Sequence, residues 1–239
     1  MVQIVTFDRF LDFQGEYYEG EPQQKKGLKL LYQGIREGKP PEELLTEGCP
    51  WMVKYSETPA PALQNLLTVP YFYQNDNYTG TGWRECWSST SAMGCAFYGR
   101  VKTDDEYVQI ARNYGDTTVY TTHVQACARF GIKATYRTDG DTTELKAAID
   151  KGNLAAAGWS HNGPVTAPTD GLWCLIVGYD DAAQQWIMHD PNGEADMVGG
   201  GYITTANGPG KYVRYSYTNW NKRYMPYGQP GWYMTYEEA

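Results

Sequence analysis

Cys86 stands apart from the other cysteines of this chain. It lies in Trp83-Arg84-Glu85-Cys86-Trp87-Ser88-Ser89-Thr90-Ser91-Ala92-Met93, at the mouth of an expected helix. A thiol there faces unpaired backbone amides and the positive end of the helix dipole, which favour the nucleophilic thiolate. Twelve residues upstream is Gln74, in Val69-Pro70-Tyr71-Phe72-Tyr73-Gln74. A glutamine amide can donate a hydrogen bond to an oxyanion as a nucleophile attacks a carbonyl. Such a pair still needs a proton acceptor, and the chain has three histidines to offer: His123, His161 and His189.

The elements that must position these groups are legible from about Val69 onward. Cys86 to Tyr98 reads as a helix, with Met93, Phe97 and small residues on one face and Gly99 as its stop. Thr103-Asp104-Asp105-Glu106 has the form of a capping box and opens a helix to about Asn113. Thr122-His123-Val124-Gln125 opens another, closed by Gly131, and places His123 on the surface at a helix start. Asp141-Thr142-Thr143-Glu144 opens a third, closed by Gly152. The period then changes, and Leu154 to Trp159, Trp173 to Tyr179 and Gln185 to His189 read as strands. Helices followed by antiparallel strands predict an α+β domain. If the first two strands are antiparallel neighbours, His161, the segment 170–173 and Asp190 gather at one sheet edge, within reach of a helix carrying Cys86.

Residues 1–66 predict a small, mainly helical N-terminal module and linker, before a domain over 67–239. Leu28, Leu31 and Ile35 fall on one helical face, Pro40-Pro41 ends that helix, and Ser56 to Pro61 reads as a linker.

Composition narrows the class. The 239 residues are 41% hydrophobic and 15% aromatic, as in a globular protein that buries a core. A net charge of −8, with no basic patch, argues against nucleic acid as the main partner. No apolar run approaches the roughly 20 residues of a membrane span. The start, Met1 to Arg9, lacks the pattern of a signal peptide. Five cysteines without regular spacing read as reduced thiols, with Cys95, Cys127 and Cys174 in apolar, core-like patterns. No cofactor and no metal are expected.

In this order, Val69-Pro70-Tyr71-Phe72-x-Gln74, Cys86-Trp87-Ser88-Ser89, Leu175-Ile176-Val177-Gly178-Tyr179-Asp180 and Asp190-Pro191 resemble the papain-like peptidases related to bacteriocin-leader-processing proteases. Asn192-Gly193-Glu194-Ala195-Asp196 and Gly199-Gly200-Gly201-Tyr202 resemble their phage-encoded relatives. The resemblance spans about Val69 to Gly193. It implies a papain-like domain with helices packed on an antiparallel sheet, Cys86 as nucleophile, Gln74 as oxyanion donor, and Asp190 orienting a histidine. It also implies a peptide or protein substrate, or virion structural proteins, as partners, and a phage particle or host cytoplasm as location.

One departure matters. The family pattern places its catalytic histidine in Gly-His-Trp, and this chain has Gly171-Leu172-Trp173. Leucine accepts no proton. His161 is the substitute base by position, against a reading as a structural histidine. His189 neighbours Asp190 but should point to the opposite strand face. Two classes therefore stand side by side: a cysteine peptidase, and a catalytically silent peptidase-fold protein used for binding or as a virion component.

Two further patterns were weighed. Asp190, Asn192, Glu194 and Asp196 alternate like the first ligands of a calcium loop, without its glycine spacing or terminal glutamate; the alternative is a solvated turn. The aromatic-rich stretch 212–236 reads as a segment wrapped on the domain, or as a surface for sugars or a partner protein.

Overall fold

The computed structural model describes residues 66–239. The helical module expected over 1–66 therefore lies outside the described residues, apart from Leu66.

In chain order the elements are α1 (Cys86–Phe97), α2 (Asp104–Ala111), α3 (Tyr120–Arg129), β1 (Ile132–Gly140), α4 (Thr142–Asp150), β2 (Leu154–Asn162), β3 (Thr169–Asp180) and β4 (Gln185–His189). There follow β5 (Glu194–Ala195), β6 (Tyr202–Thr204), β7 (Val213–Ser216), α5 (Tyr217–Tyr224) and β8 (Gly231–Glu238). Six strands form one antiparallel sheet in the order β1-β8-β2-β3-β4-β7, and β5 pairs with β6 beside it. Helices cover both faces. Trp87, Met93 and Cys95 of α1, with Tyr107 and Cys127, pack on the face of β3 that carries Trp173, Leu175 and Val177. Leu145 and Ile149 of α4, with Trp220 and Tyr224 of α5, cover the face that carries Leu172, Cys174 and Ile176. A strand buried on both faces is continuously apolar rather than alternating, which is the pattern of Leu172 to Val177.

The helix α1 is buried from Trp87 to Ala96, although four of its residues are Ser or Thr. Burial of a hydroxyl is costly unless it is hydrogen-bonded. Each one here has a partner: Ser88 with Thr117, Ser89 with Asp104, Thr90 with Trp173 O, and Ser91 with Tyr236. Small residues also let the helix approach the sheet closely. A Cβ at Gly94 would lie 3.0 Å from the Tyr236 ring.

The sequence expectations divide instructively. Asp141 and Glu144 form a complete capping box at α4, and Gly152 follows that helix at φ +75°. At α2 only half of the box forms. Thr103 accepts from Glu106 N, but the Glu106 carboxylate turns to Lys102 N, and the helix ends at Ala111 rather than near Asn113. The helix α3 begins at Tyr120, two residues before the expected start, and Thr122 lies inside it. The strands β2 and β3 are antiparallel neighbours, with Gly158 opposite Trp173 and Trp159 opposite Leu172.

The aromatic tail departs most from expectation. It does not wrap the domain. It supplies edge strand β7, helix α5 and strand β8, and β8 inserts between β1 and β2. Tyr215, Trp220, Tyr224 and Tyr236 are core residues as a result.

Candidate active site

Cys86 is the first residue of α1, and α1 is pinned to β3 at a single residue. Trp173 N–H donates to Cys86 Sγ at 3.4 Å, while Thr90, one turn along the helix, donates to Trp173 O at 3.1 Å. The indole of Trp87 stacks on that of Trp173, with centroids 3.9 Å apart and planes 9° from parallel. The thiol is thus registered against the start of β3 by three contacts to one residue. The first amides of α1, those of Cys86 and Trp87, also face the sulfur.

These donors do not produce a thiolate. Burial pushes the Cys86 thiol up to about 11; the Trp173 N–H draws it down less strongly, and the Asp190 carboxylate raises it again. Burial thus opposes the thiolate that the helix N-terminus favours. A few backbone donors do not offset desolvation when no cation stands nearby.

Gln74 begins a short 3₁₀ turn, Gln74–Asp76, that packs against α1. Its N–H bonds to Pro191 O at 2.9 Å, and Asn75 Nδ2 bonds to Asn192 Oδ1 at 2.8 Å, so the turn is tied to the segment after Asp190. The side chain is buried, and its Oε1 has no hydrogen-bond partner. Gly82 lets the approach to α1 pass directly over this turn, since a Cβ there would fall 2.0 Å from Gln74 O.

Leu172 lies buried in the cluster that also holds Trp159, Cys174 and Tyr215, and Cys86 packs against this cluster. Asp190 is fully buried. Its carboxylate accepts from Tyr202 at 3.0 Å and Tyr215 at 3.1 Å, and from Asn192 N–H at 3.0 Å. Burial still pushes the Asp190 carboxyl up to about 7, against the pull of those donors. The two tyrosines are the site residues that the sequence reading missed. Tyr215 lay in the aromatic-rich stretch and Tyr202 in Gly199-Gly200-Gly201-Tyr202, and neither pattern reveals that two hydroxyls converge on one carboxylate.

The three histidines fall in three environments. His161, on β2 across from Asp170, has its ring 6.4 Å from that of Trp159 and 5.9 Å from that of Tyr202. Its Nδ1 is buried without a partner, and burial lowers its pKa. Tyr202 therefore stands between His161 and the Asp190 carboxylate. His189 points away from that carboxylate: Nε2 bonds to Val69 O and Nδ1 accepts from Tyr212 N–H, each at 3.0 Å. His123 is not a surface residue. It is fully buried, stacked on Trp87 at 4.6 Å, and burial pushes it down to about 4. Its helix starts two residues earlier than read, which turns it inward.

The segment 190–196 is a turn at 191–192 followed by strand β5. Asp190 serves the tyrosines, and Asp196 Oδ1 accepts from Val198 and Gly199 N–H groups. Among the described residues no group of acidic, histidine and cysteine side chains is arranged to hold a metal ion. Among the same residues no helix is long and apolar enough to cross a membrane.

Residues 66–225 match the model of the Peptidase_C39 like family. The chain belongs to that family. A C39-like peptidase from Bacillus anthracis is similar in fold, with a TM-score of 0.51 at 13% identity, over 73% of this chain and 97% of that one. Two other solved structures align at lower TM-scores. The peptidase domain of Streptococcus ComA, a bi-functional ABC transporter involved in a quorum-sensing pathway, gives 0.47 at 14% identity, over 72% and 99% of the two chains. A double-glycine-motif protease from an AMS/PCAT transporter, in complex with the leader peptide, gives 0.45 at 13% identity, over 74% and 96%. No curated protein matches in sequence. For this C39-type chain the expected papain-like α+β architecture is therefore established over the matched region.

Proposed function

We propose that this C39-type protein binds a peptide or protein segment at the Cys86 cleft without hydrolysing it. The observation that carries this reading is the packing of Leu172, rather than a proton acceptor, in the buried cluster against Cys86. A thiol held protonated to about 11 leaves little nucleophile at neutral pH, and a general base contributes roughly 10²–10⁴-fold to such reactions. The retained Gln74 and the amides at the start of α1 still provide donors for a peptide carbonyl. The resemblance of residues 190–202 to phage-encoded relatives supports a virion or tail setting, in which the partner is a structural protein of the particle.

A second reading has its own observation. His161 Nδ1 is buried and unpartnered beside Tyr202, which bonds Asp190, and this supports His161 as the base if the chain hydrolyses peptides.

The deciding experiment measures hydrolysis of a mixed fluorogenic peptide pool by the wild type, Leu172→His, His161→Ala and Cys86→Ala. A silent wild type with Cys86-dependent activity in Leu172→His supports the binding reading. Wild-type cleavage abolished by both His161→Ala and Cys86→Ala overturns it in favour of the peptidase.

A further inference from the structure

Two thiols outside the Cys86 cleft are held against one another in the core. Cys95 Sγ and Cys127 Sγ are 3.8 Å apart, both fully buried, one on α1 and the other on α3. Cys95 is nine residues beyond Cys86, about 13 Å along the helix axis, so this pair is separate from the cleft. Closing the gap to a disulfide bond of about 2.05 Å requires the sulfurs to move together by roughly 1.8 Å.

The pair is also wired to a histidine. His123 Nε2 lies 2.7 Å from Thr117 O, which can only accept, so Nε2 carries the proton and Nδ1 presents its lone pair. Tyr107 hydroxyl, 3.1 Å from Nδ1, must then donate to it. The Tyr107 oxygen is left to accept from the Cys127 thiol at 3.7 Å, and the Cys127 sulfur to accept from Cys95. All four bonds run in one direction, from Cys95 toward Thr117. This polarity fixes Cys127 as a donor to Tyr107 and as the acceptor from Cys95, so the two sulfurs are held in a set orientation.

We propose that Cys95 and Cys127 form a redox site that a peroxide oxidises to a disulfide, stapling α1 to α3. The Cys127 sulfur attacks one peroxide oxygen. The S–O bond forms as the O–O bond breaks, and the departing hydroxide takes the Cys127 proton and leaves as water. Cys95 sulfur then attacks the sulfenic sulfur of Cys127. The S–S bond forms, the S–O bond breaks, and hydroxide leaves with the Cys95 proton as a second water. Two thiols lose two electrons, and one peroxide becomes two waters. The staple fixes the helix that carries Cys86, so oxidation rigidifies the cleft from behind.

The test treats the folded full-length protein with hydrogen peroxide, quenches with catalase, blocks free thiols with N-ethylmaleimide under denaturing conditions, and maps peptides by mass spectrometry. The expected product is a Cys95–Cys127 linked peptide, two hydrogens lighter than its parts. It should be accompanied by a higher melting temperature that dithiothreitol reverses. Full labelling of both cysteines after Cys86 has been oxidised, or a linkage of either to Cys49, Cys86 or Cys174, overturns the proposal. Cys127→Ser should abolish the linked peptide while Cys86 oxidation keeps its rate; a linkage of Cys95 to any other cysteine in that variant overturns the proposal. If that variant does not fold, the wild-type map alone decides.

Discussion

Trp173 N–H donates to Cys86 Sγ at 3.4 Å, and the residue immediately before Trp173 is Leu172, buried in a cluster against which Cys86 also packs. The backbone donor of the Cys86 sulfur and a buried apolar side chain are thus consecutive residues of one strand.

The thiol state follows from that environment. Cys86 alkylation by iodoacetamide should be slow at pH 7 and still rising at pH 9, because burial holds the thiol near 11. Mass spectrometry of the labelled peptide against pH checks this, and a plateau below about pH 8.5, the ordinary thiol value, would contradict it.

Stability should respond to pH through opposing groups. Asp190 holds its proton better folded than unfolded, with values of about 7 and about 3.9. Its contribution is complete below about pH 4 and is lost as pH rises through about 7. His123 and His189 act in the other direction. Both are pushed down to about 4 by burial, so their contribution is present above about 6.5 and lost as pH falls through about 4. Asp190→Asn should reduce the loss of stability between pH 5 and 8, read as the urea midpoint at each pH. A profile as steep as that of the wild type would exclude Asp190 as its source.

Packing of α1 on β8 leaves no room at Gly94. Gly94→Ala should destabilise the fold by about 1–3 kcal/mol, since its Cβ meets the buried Tyr236 ring at 3.0 Å. Denaturant unfolding measures this, and a stabilised variant would show that the ring can yield.

Arg223 is buried with no carboxylate bonded to it. Its guanidinium instead donates to Met197 O at 2.9 Å, Ser160 O at 3.0 Å and Gly163 O at 2.9 Å. It joins the end of β2, beside His161, to the turn after β5. Arg223→Lys cannot reproduce that fan of donors and should cost on the order of 2–4 kcal/mol by leaving buried carbonyls unpaired. Thermal unfolding checks the loss, and a shift of less than a degree would show that water replaces the guanidinium.

What the sequence determined by itself was local or nearest-neighbour. The Asp141–Glu144 cap, the helix beginning at Cys86 and the β2–β3–β4 meander depend on residues close in the chain, where side-chain chemistry and short connections leave few alternatives. The meander alone brought His161, Leu172 and Asp190 toward one edge. Tertiary structure decided the rest. The strand β8 inserts between β1 and β2 from a region about 70 residues beyond β2, a pairing that no local pattern encodes. The convergence of Tyr202 and Tyr215 on Asp190, and the inward turn of His123, depend on how whole elements pack. So does the state of Cys86. Its helix position argued for a thiolate, but the packing of α1 on β3 raises the thiol by desolvation, against the few amides that face it.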